Sequence, residues 1–573
     1  MIPPLRGVNK GMPFAPWLRT YRVSWFRWDL IAGLTTAAVV IPQAMAYATI
    51  AGLPVEYGLY TALVPMVVYC LLGSTRCLSV STTSTIALLT ASGIALAPEG
   101  AEPAAVAAVL AAEVGLFLVV AGFLRLGFLS SFISRPILAG FKIGMGLTIA
   151  ASQLGKIMGV SVSGETFFPK IVSAASQVDE TNLWTLAIAL TSFAALMVIK
   201  RKVPTFPGPL LVFVAGMALM AITQLETRGV ATVAAVPGGL PQLDVPDFAL
   251  ATALLPAAAG IALMAFVESI AAARAVRTQD ELPIDPNREL IALGGANLAG
   301  GLFQTIPAGG GLSQTAVNDR SGARSQVSSL VTASSVALVL LFLASLFVYV
   351  PDPVLGAIVL VAALGLIDVE GLKRIRGLRL DDYVFGVTAI AGVLALGALP
   401  GLLVGVVVSL VTLFWELNHP PIFILARKPD TDVFREMGHD PADIAYEDLM
   451  IVRVESGLYF GNSQRVTDRL STMVDDAPDR PRTLLLDLSA VPHIDSTAAE
   501  IFNDLAERLE SKGTEIWLAA MTTSVLAVAK ASPRWGDLKT RRLIYPTLAE
   551  GVAVHISAST PQSRDQRHPG EPT

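Results

Sequence analysis

Ile306-Pro307-Ala308-Gly309-Gly310-Gly311-Leu312-Ser313-Gln314-Thr315 is the stretch on which the fold turns. A proline and three successive glycines break a helix, yet this run sits inside sequence apolar enough for a bilayer. The first half of the chain has a counterpart, Leu78-Ser79-Val80-Ser81-Thr82-Thr83-Ser84-Thr85, a hydroxyl-rich lead into an apolar helix. Each reads as the start of a half-helix that begins within the membrane. Two such starts aimed at each other focus unpaired N–H groups and positive dipole ends on one midplane spot, which is a site for an anion. The plainer reading is that the hydroxyls help helices pack and the glycines form a loop. Matched placement in two halves favours the site.

Composition agrees with a membrane setting. Of 573 residues, 53% are hydrophobic and 15% charged, against about 25% charged in a soluble domain, and the mean hydropathy is +0.61. The 47 glycines and 36 prolines fall within apolar stretches, where broken and closely packed transmembrane helices use both. A net charge of -5 leaves no basic footprint for nucleic acid, and Cys70 and Cys77 are too few for a disulfide framework.

Apolar runs long enough to span occupy residues 29–49, 57–72, 78–97, 104–124, 128–158, 183–199 and 209–222, and a second set of similar size fills 249–418. The polar, Pro/Gly-rich stretch 224–247 between them reads as an extracytoplasmic loop. Alternate connections are basic: Arg76, then Arg125 and Arg135, then Lys200, Arg201 and Lys202, then Arg274, Arg277 and Arg288, then Lys373, Arg374, Arg376 and Arg379. By the positive-inside rule this places both termini in the cytoplasm. The expected fold is a polytopic α-helical membrane protein of about fourteen segments in two inverted halves, 29–223 and 249–419. Residues 1–28, with Arg19, Arg22 and Arg27 among Trp17, Trp25 and Trp28, read as a cytoplasmic interfacial segment. Within 438–556, strands at 449–454, 484–488 and 515–519 and an amphipathic helix at 496–512 indicate a small soluble βαβ module, and 557–573 reads as a disordered tail.

Absences narrow the chemistry. The histidines, His419, His439, His493, His555 and His568, all lie at or beyond the end of the membrane part, so no metal site or histidine relay is expected inside it. Gly155-Lys156 lacks the approach of a nucleotide loop. No cofactor and no enzymatic activity are expected. Glu268 stands in the apolar run Ile261-Ala262-Leu263-Met264-Ala265-Phe266-Val267-Glu268-Ser269-Ile270. An acid there is costly unless paired, protonated or facing water, so it is either a carrier of the coupling ion or a hydrogen-bonding strut. Glu113 reads as a packing or interfacial residue. Lys142, between Gly140 and Gly144, pairs with an acid, attracts an anion or snorkels to the surface.

These residues stand in a sequence that resembles the sulfate permease family of anion transporters over about 25–554. The resemblance rests on Ile41-Pro42-Gln43-Ala44-Met45-Ala46-Tyr47-Ala48, Ala51-Gly52-Leu53-Pro54, Tyr57-Gly58-Leu59-Tyr60 and Gly73-Ser74-Thr75-Arg76. In the second half Asn287-Arg288-Glu289-Leu290, Gly294 to Asn297, Thr315-Ala316-Val317-Asn318 and Ser321-Gly322-Ala323-Arg324 match equally well. It implies a seven-plus-seven inverted repeat split into core and gate, usually dimeric, moving like an elevator. It also implies an anion site made by Gln43 and Tyr47 on the first helix, Thr82 and Thr83 at the third, Glu268 on the eighth, and Leu312, Ser313 and Gln314 at the tenth. Two departures stand out: relatives commonly have Gly-Pro at Ser81-Thr82, and many have Arg at Gln314.

The carboxyl-terminal module resembles the STAS domain, with Leu484-Leu485-Leu486-Asp487-Leu488-Ser489-Ala490-Val491 and Ile494-Asp495-Ser496-Thr497-Ala498 as its strand, turn and helix start. Thr497 corresponds to a serine that is phosphorylated in soluble relatives, and Thr497-Ala498-Ala499-Glu500 also reads as a capping box. The expectation is a secondary active transporter of a small anion (sulfate, bicarbonate or a dicarboxylate) in the cytoplasmic membrane, coupled to a proton or sodium or working by exchange. A passive anion channel and a membrane-tethered STAS scaffold with a cytoplasmic protein partner are the alternatives.

Overall fold

The computed structural model describes residues 15–559, apart from 20, 132–134, 165, 204–205, 279–280, 282, 532–535 and 537–539. Most of the expected tail, 560–573, and the start of the amino-terminal segment, 1–14, lie outside the described residues. The chain divides into two compact units, one through Ser409 and one from Leu410.

In the first unit the first half runs α1 (Phe26–Ile50), α2 (Val55–Leu72), β1 (Val80–Ser81), α3 (Ser84–Ile94), α4 (Pro103–Phe123), α5 (Arg135–Ser152), α6 (Leu154–Met158), α7 (Phe167–Ser176), α8 (Leu183–Lys202) and α9 (Gly208–Thr223). The second half runs α10 (Ala251–Val276), α11 (Pro286–Leu302), β2 (Gly309–Gly310), α12 (Leu312–Arg320), α13 (Val327–Phe342), α14 (Asp352–Leu364), α15 (Val369–Leu378), α16 (Leu380–Leu396) and α17 (Ala398–Asn418), whose last residues, from Leu410, belong to the second unit. Set side by side, α1 matches α10, α2 matches α11, and each third crossing is a short strand continued by a half-helix. With α5–α6 and α14–α15 each counted as one crossing and α7 as a surface helix, every half has seven. The protein is a multi-pass membrane protein with a seven-plus-seven inverted repeat. Among the described residues eight helices are long and apolar enough to span unaided.

Packing sorts these helices into two bundles. One joins α1–α4 with α10–α13, the closest pair being α4 and α11; the other joins α5–α9 with α14–α17, where α5 lies against α16. Small residues allow the closest approaches. A Cβ built on Gly140 of α5 would overlap the carbonyl of Gly386 on α16, so those helices touch backbone to backbone.

The matched motifs hold one end of the first bundle together. Buried Glu289 accepts hydrogen bonds from Tyr69 Oη (2.6 Å), Ser74 Oγ (2.6 Å) and Thr75 Oγ1 (3.0 Å). Buried Asp29 accepts from Arg324 N (2.6 Å), Ser325 N (3.0 Å) and Ser325 Oγ (2.6 Å) at the start of α13. Arg76 pairs with Glu281 (2.8 Å) and Asp319 (2.7 Å) and donates to the Ala323 carbonyl. Each tie crosses between the halves and joins them into one bundle. Ahead of α1, Trp17, Tyr21 and Trp25 meet edge to face and Trp17 Nε1 donates to Cys70 O (2.7 Å). Helix α1 begins at Phe26, within the stretch expected to precede it.

The second unit adds β3 (Ile422–Arg427), β4 (Phe434–Glu436), β5 (Leu449–Val454), α18 (Ser463–Asp475), β6 (Thr483–Asp487), α19 (Ser496–Ser511), β7 (Glu515–Ala519), α20 (Thr523–Ala531), β8 (Ile544–Tyr545) and α21 (Leu548–Ser559). Its sheet has six strands in the order β4-β3-β5-β6-β7-β8, parallel from β5 to β8. The βαβ reading therefore found only the centre of a larger sheet. Edge strands β3 and β4 pair antiparallel, and both lie before residue 438, where the module was expected to start. Helix α21 runs to Ser559, past the expected start of the tail.

Replacing Gly140 by Val should lower the thermal transition of the detergent-solubilised protein by several degrees, because two backbones would have to separate. Gly377→Ala, where a Cβ meets nothing within 4 Å, should leave it unchanged; thermal unfolding followed by tryptophan fluorescence compares the two.

Candidate functional site

The two helix-breaking stretches meet as an antiparallel pair, Val80 opposite Gly310 and Ser81 opposite Gly309. Backbone broken at mid-membrane needs partners, and nearly all come from side chains of the first bundle. Gly310 N donates to Ser269 Oγ (2.6 Å) and Ser79 N to Thr315 Oγ1 (3.1 Å). Ala308 N donates to Asn297 Oδ1 (2.8 Å), whose Nδ2 donates back to Ala308 O (2.9 Å), and Ile306 N donates to Thr61 Oγ1 (3.0 Å). A Cβ on Gly310 would stand 2.9 Å from Ser269 Cα, so only glycine lets β2 lie flat on α10.

From this ladder the chain turns directly into α3 and α12. The first amides with a backbone partner at each start are Ala87 N on Thr83 O (2.8 Å) and Thr315 N on Gly311 O (2.9 Å). Thr83 caps α3, accepting from Ile86 N (3.2 Å), whereas α12 has no side-chain cap. The amides of Ser84, Thr85, Leu312, Ser313 and Gln314 thus precede the helical ladder.

Both starts open on a cavity of about 640 Å³. Gln43 and Tyr47 of α1, Thr83 of α3, Glu268 of α10 and Leu312, Ser313 and Gln314 of α12 line it from one bundle; Lys142 of α5 lines it from the other. The structure therefore brings together every expected site residue except one in the membrane part. Thr82 is fully buried outside the lining, and its hydroxyl has no partner among the described residues. Thr83 Oγ1 donates to Glu268 Oε2 (2.9 Å). Gln43 is 7% exposed and its Oε1 is unpartnered among the described residues.

The two departures from the family pattern touch each other. Ser81 Oγ donates to Gln314 Oε1 (2.6 Å), with Ser79 Oγ at 3.5 Å. Gln314, whose side-chain oxygen is held in this way, also lines the cavity. Lys200 and Asp368 line the cavity's far end; sequence reading used Lys200 only as a topological marker and passed over Asp368. Ser269 and Thr61, which help hold the broken backbone, are hydroxyls in largely apolar helices, and nothing in their spacing sets them apart. Glu113, by contrast, lies buried on α4 with neither carboxyl oxygen partnered among the described residues.

The model of the sulfate permease family matches residues 26–390, and that of the STAS domain matches 441–550. The chain belongs to the sulfate permease family. It is 36% identical over 519 residues to a Mycobacterium tuberculosis protein named as a probable sulfate transporter, covering 90% of this chain and 92% of that one. It is 33% identical over 549 residues to the chloroplastic sulfate transporter 4.1 of Arabidopsis thaliana, covering 91% and 80%. Among solved structures it is similar to the murine Solute Carrier 26 member A9 anion transporter in its inward-facing state, with a TM-score of 0.87 and 24% identity over 94% of this chain and 93% of that one. The transmembrane domain of the cyanobacterial bicarbonate transporter BicA matches with a TM-score of 0.58 and 22% identity, over 68% and 98%.

In the STAS domain of this permease-family chain the capping-box reading is corrected. Asp495, extended at φ -92 and ψ 173, caps α19 by accepting from Ala498 N (2.7 Å) and also accepts from Phe460 N (2.8 Å). Thr497 is an exposed residue of the first turn. A carboxylate at a helix start gains from the dipole as well as from the hydrogen bond, so Asp495 wins over the neighbouring threonine. Asp495→Ala should destabilise the soluble domain by about 1 kcal/mol or more, and Thr497→Ala should be near neutral; calorimetry of the full chain, reading the soluble-domain transition, tests both.

Proposed function

We propose that this chain is a secondary active transporter of a small anion such as sulfate, bicarbonate or a dicarboxylate. It carries the anion across the cytoplasmic membrane by an elevator-like movement of the first bundle against the second, coupled to a proton or sodium or to exchange. One observation carries the reading: both half-helix starts, the Gln314 amide and Glu268 converge on a single cavity whose opposite wall belongs to the other bundle. Relatives named as sulfate transporters and neighbours named as anion and bicarbonate transporters support it.

Donors supply the anion chemistry. Each half-helix start contributes roughly half a positive charge, and Ser313 Oγ and Gln314 Nε2 add neutral donors. Lys142 supplies a full charge from the other bundle, which matters most for a dianion. By the positive-inside rule the Lys200 end of the cavity is cytoplasmic. On the far side of the ladder Ile306 and Ala308 are fully buried, which favours a one-sided carrier over a continuous channel. The exposed Thr497 hydroxyl, on the first turn of α19, suits a regulatory phosphate that would gain from the helix dipole.

Uptake of labelled anion into proteoliposomes should be saturable and accelerated by an inward proton gradient. Glu268→Gln should abolish that acceleration while leaving counterflow largely intact; a variant still fully proton-driven would move the coupling group elsewhere or make sodium the driving ion. Lys142→Gln should weaken binding of a dianion far more than of a monoanion, by about 1 to 3 kcal/mol, as measured by titration calorimetry. Equal losses would make Lys142 structural.

A further inference from the structure

We propose that the Thr83 hydroxyl is the coupling element of the site: its single proton goes either to Glu268 or to the bound anion, so taking up a proton at Glu268 releases a donor to the anion. This rests on the transport reading above and deepens it.

Three features of one side chain carry the inference. Thr83 Oγ1 already accepts from Ile86 N (3.2 Å) as the cap of α3, and it donates to Glu268 Oε2 (2.9 Å). Thr83 also lines the cavity. A hydroxyl has one proton and two lone pairs. With Glu268 ionised, the proton and one lone pair are engaged, and an anion in the cavity meets an oxygen that presents no hydrogen. When Glu268 takes a proton from cavity water onto Oε2, that new O–H donates to the free lone pair of Thr83. The Thr83 O–H then turns to the cavity and donates to the anion, with the Ile86 cap undisturbed throughout. Release runs the same steps backwards, and no other proton acceptor is needed.

The surroundings of Glu268 suit this exchange. Lys142 of α5 and Tyr47 of α1 face it, with Thr85 on the same turn as Thr83. From α12 it meets the uncharged start, Ser313 and Gln314; Asp319 and Arg320 are at the other end, Asp319 paired with Arg76. On α4 the acid is Glu113; on α11 Glu289 is held by Tyr69 and Ser74, and Arg288 lies in the first turn. Lys200 and Asp368 stand at the far end of the cavity. Thr85 also lines the cavity and hydrogen-bonds Glu268, but Thr83 is the one that joins a 2.9 Å hydrogen bond to Oε2 with the cap of α3, so its hydroxyl has all the links the exchange uses.

Binding of sulfate, which does not titrate between about pH 5.5 and about pH 8, to the full chain in nanodiscs tests the proposal by calorimetry in buffers of different ionisation enthalpy. The wild type should bind roughly tenfold tighter at the acid pH and take up a proton on binding, since linkage makes the two effects one. Thr83→Ser should behave like the wild type. Thr83→Asn keeps an oxygen for the cap and has two N–H donors, one for Glu268 and one for the anion, so it should bind tightly at both pH values without proton uptake. Thr83→Ala should bind at both with the weak affinity the wild type has at alkaline pH, and either of these variants suffices if the other does not fold. Glu268→Gln, whose amide donates to Thr83 permanently, should bind tightly and independently of pH. Wild-type pH dependence in Thr83→Asn or Thr83→Ala, or its loss in Thr83→Ser, overturns the proposal. Sulfate binding by the wild type without pH dependence overturns it while leaving the anion site standing, and no sulfate binding at either pH overturns it together with sulfate as the anion carried.

Discussion

Hydrocarbon offers a broken backbone no hydrogen-bond partners, and everything about this site follows from meeting that demand. A continuous helix would satisfy itself but would present no free amides at the midplane. The chain instead breaks twice, and the two breaks repair each other: β1 and β2 share a ladder, and Ser269, Asn297, Thr61 and Thr315 supply what the ladder lacks. What is left over is five amides at the starts of α3 and α12, all on one side of the repair.

That economy explains how the site works with little formal charge. A guanidinium at position 314 would hold a dianion strongly, and in a dry cavity it would need a counter-charge when empty. Gln314, steadied by Ser81, avoids that cost. The lysines are supplied from the second bundle, Lys142 on α5 and Lys200 on α8, and line the same cavity.

Much of this was legible in the sequence because two periodicities fail in the same place. Apolar runs long enough to span, interrupted at 78–85 and 306–315, mark half-helices whatever the neighbours are, and alternating basic connections mark the inversion. Motif residues were harder to read: Glu289, Asp29 and Arg76 stand out as charges near helix ends, but their role as ties between the halves depends on partners more than two hundred residues away. Thr82 and Thr83 are neighbours of like chemistry, and only the turn into α3 decides that one is buried and the other faces the cavity. In the soluble domain two helix-start signals overlap at Asp495 and Thr497, and spacing alone does not rank them. The edge strands were missed because short antiparallel edges carry little alternation.

The ladder between β1 and β2 joins residues about 230 positions apart, and that separation reaches back to how the protein is made. A ribosome delivers the first half to the membrane long before the glycines of the second exist. During that interval Val80 and Ser81 have no strand to pair with, and the start of α3 is a wound in the bilayer. The nascent chain must be sheltered by the insertion machinery, or held with β1 near the aqueous surface, until β2 arrives. The ladder is therefore completed only once the second half has been made, and a chain that fails to complete it carries a conspicuous polar defect for quality control to recognise.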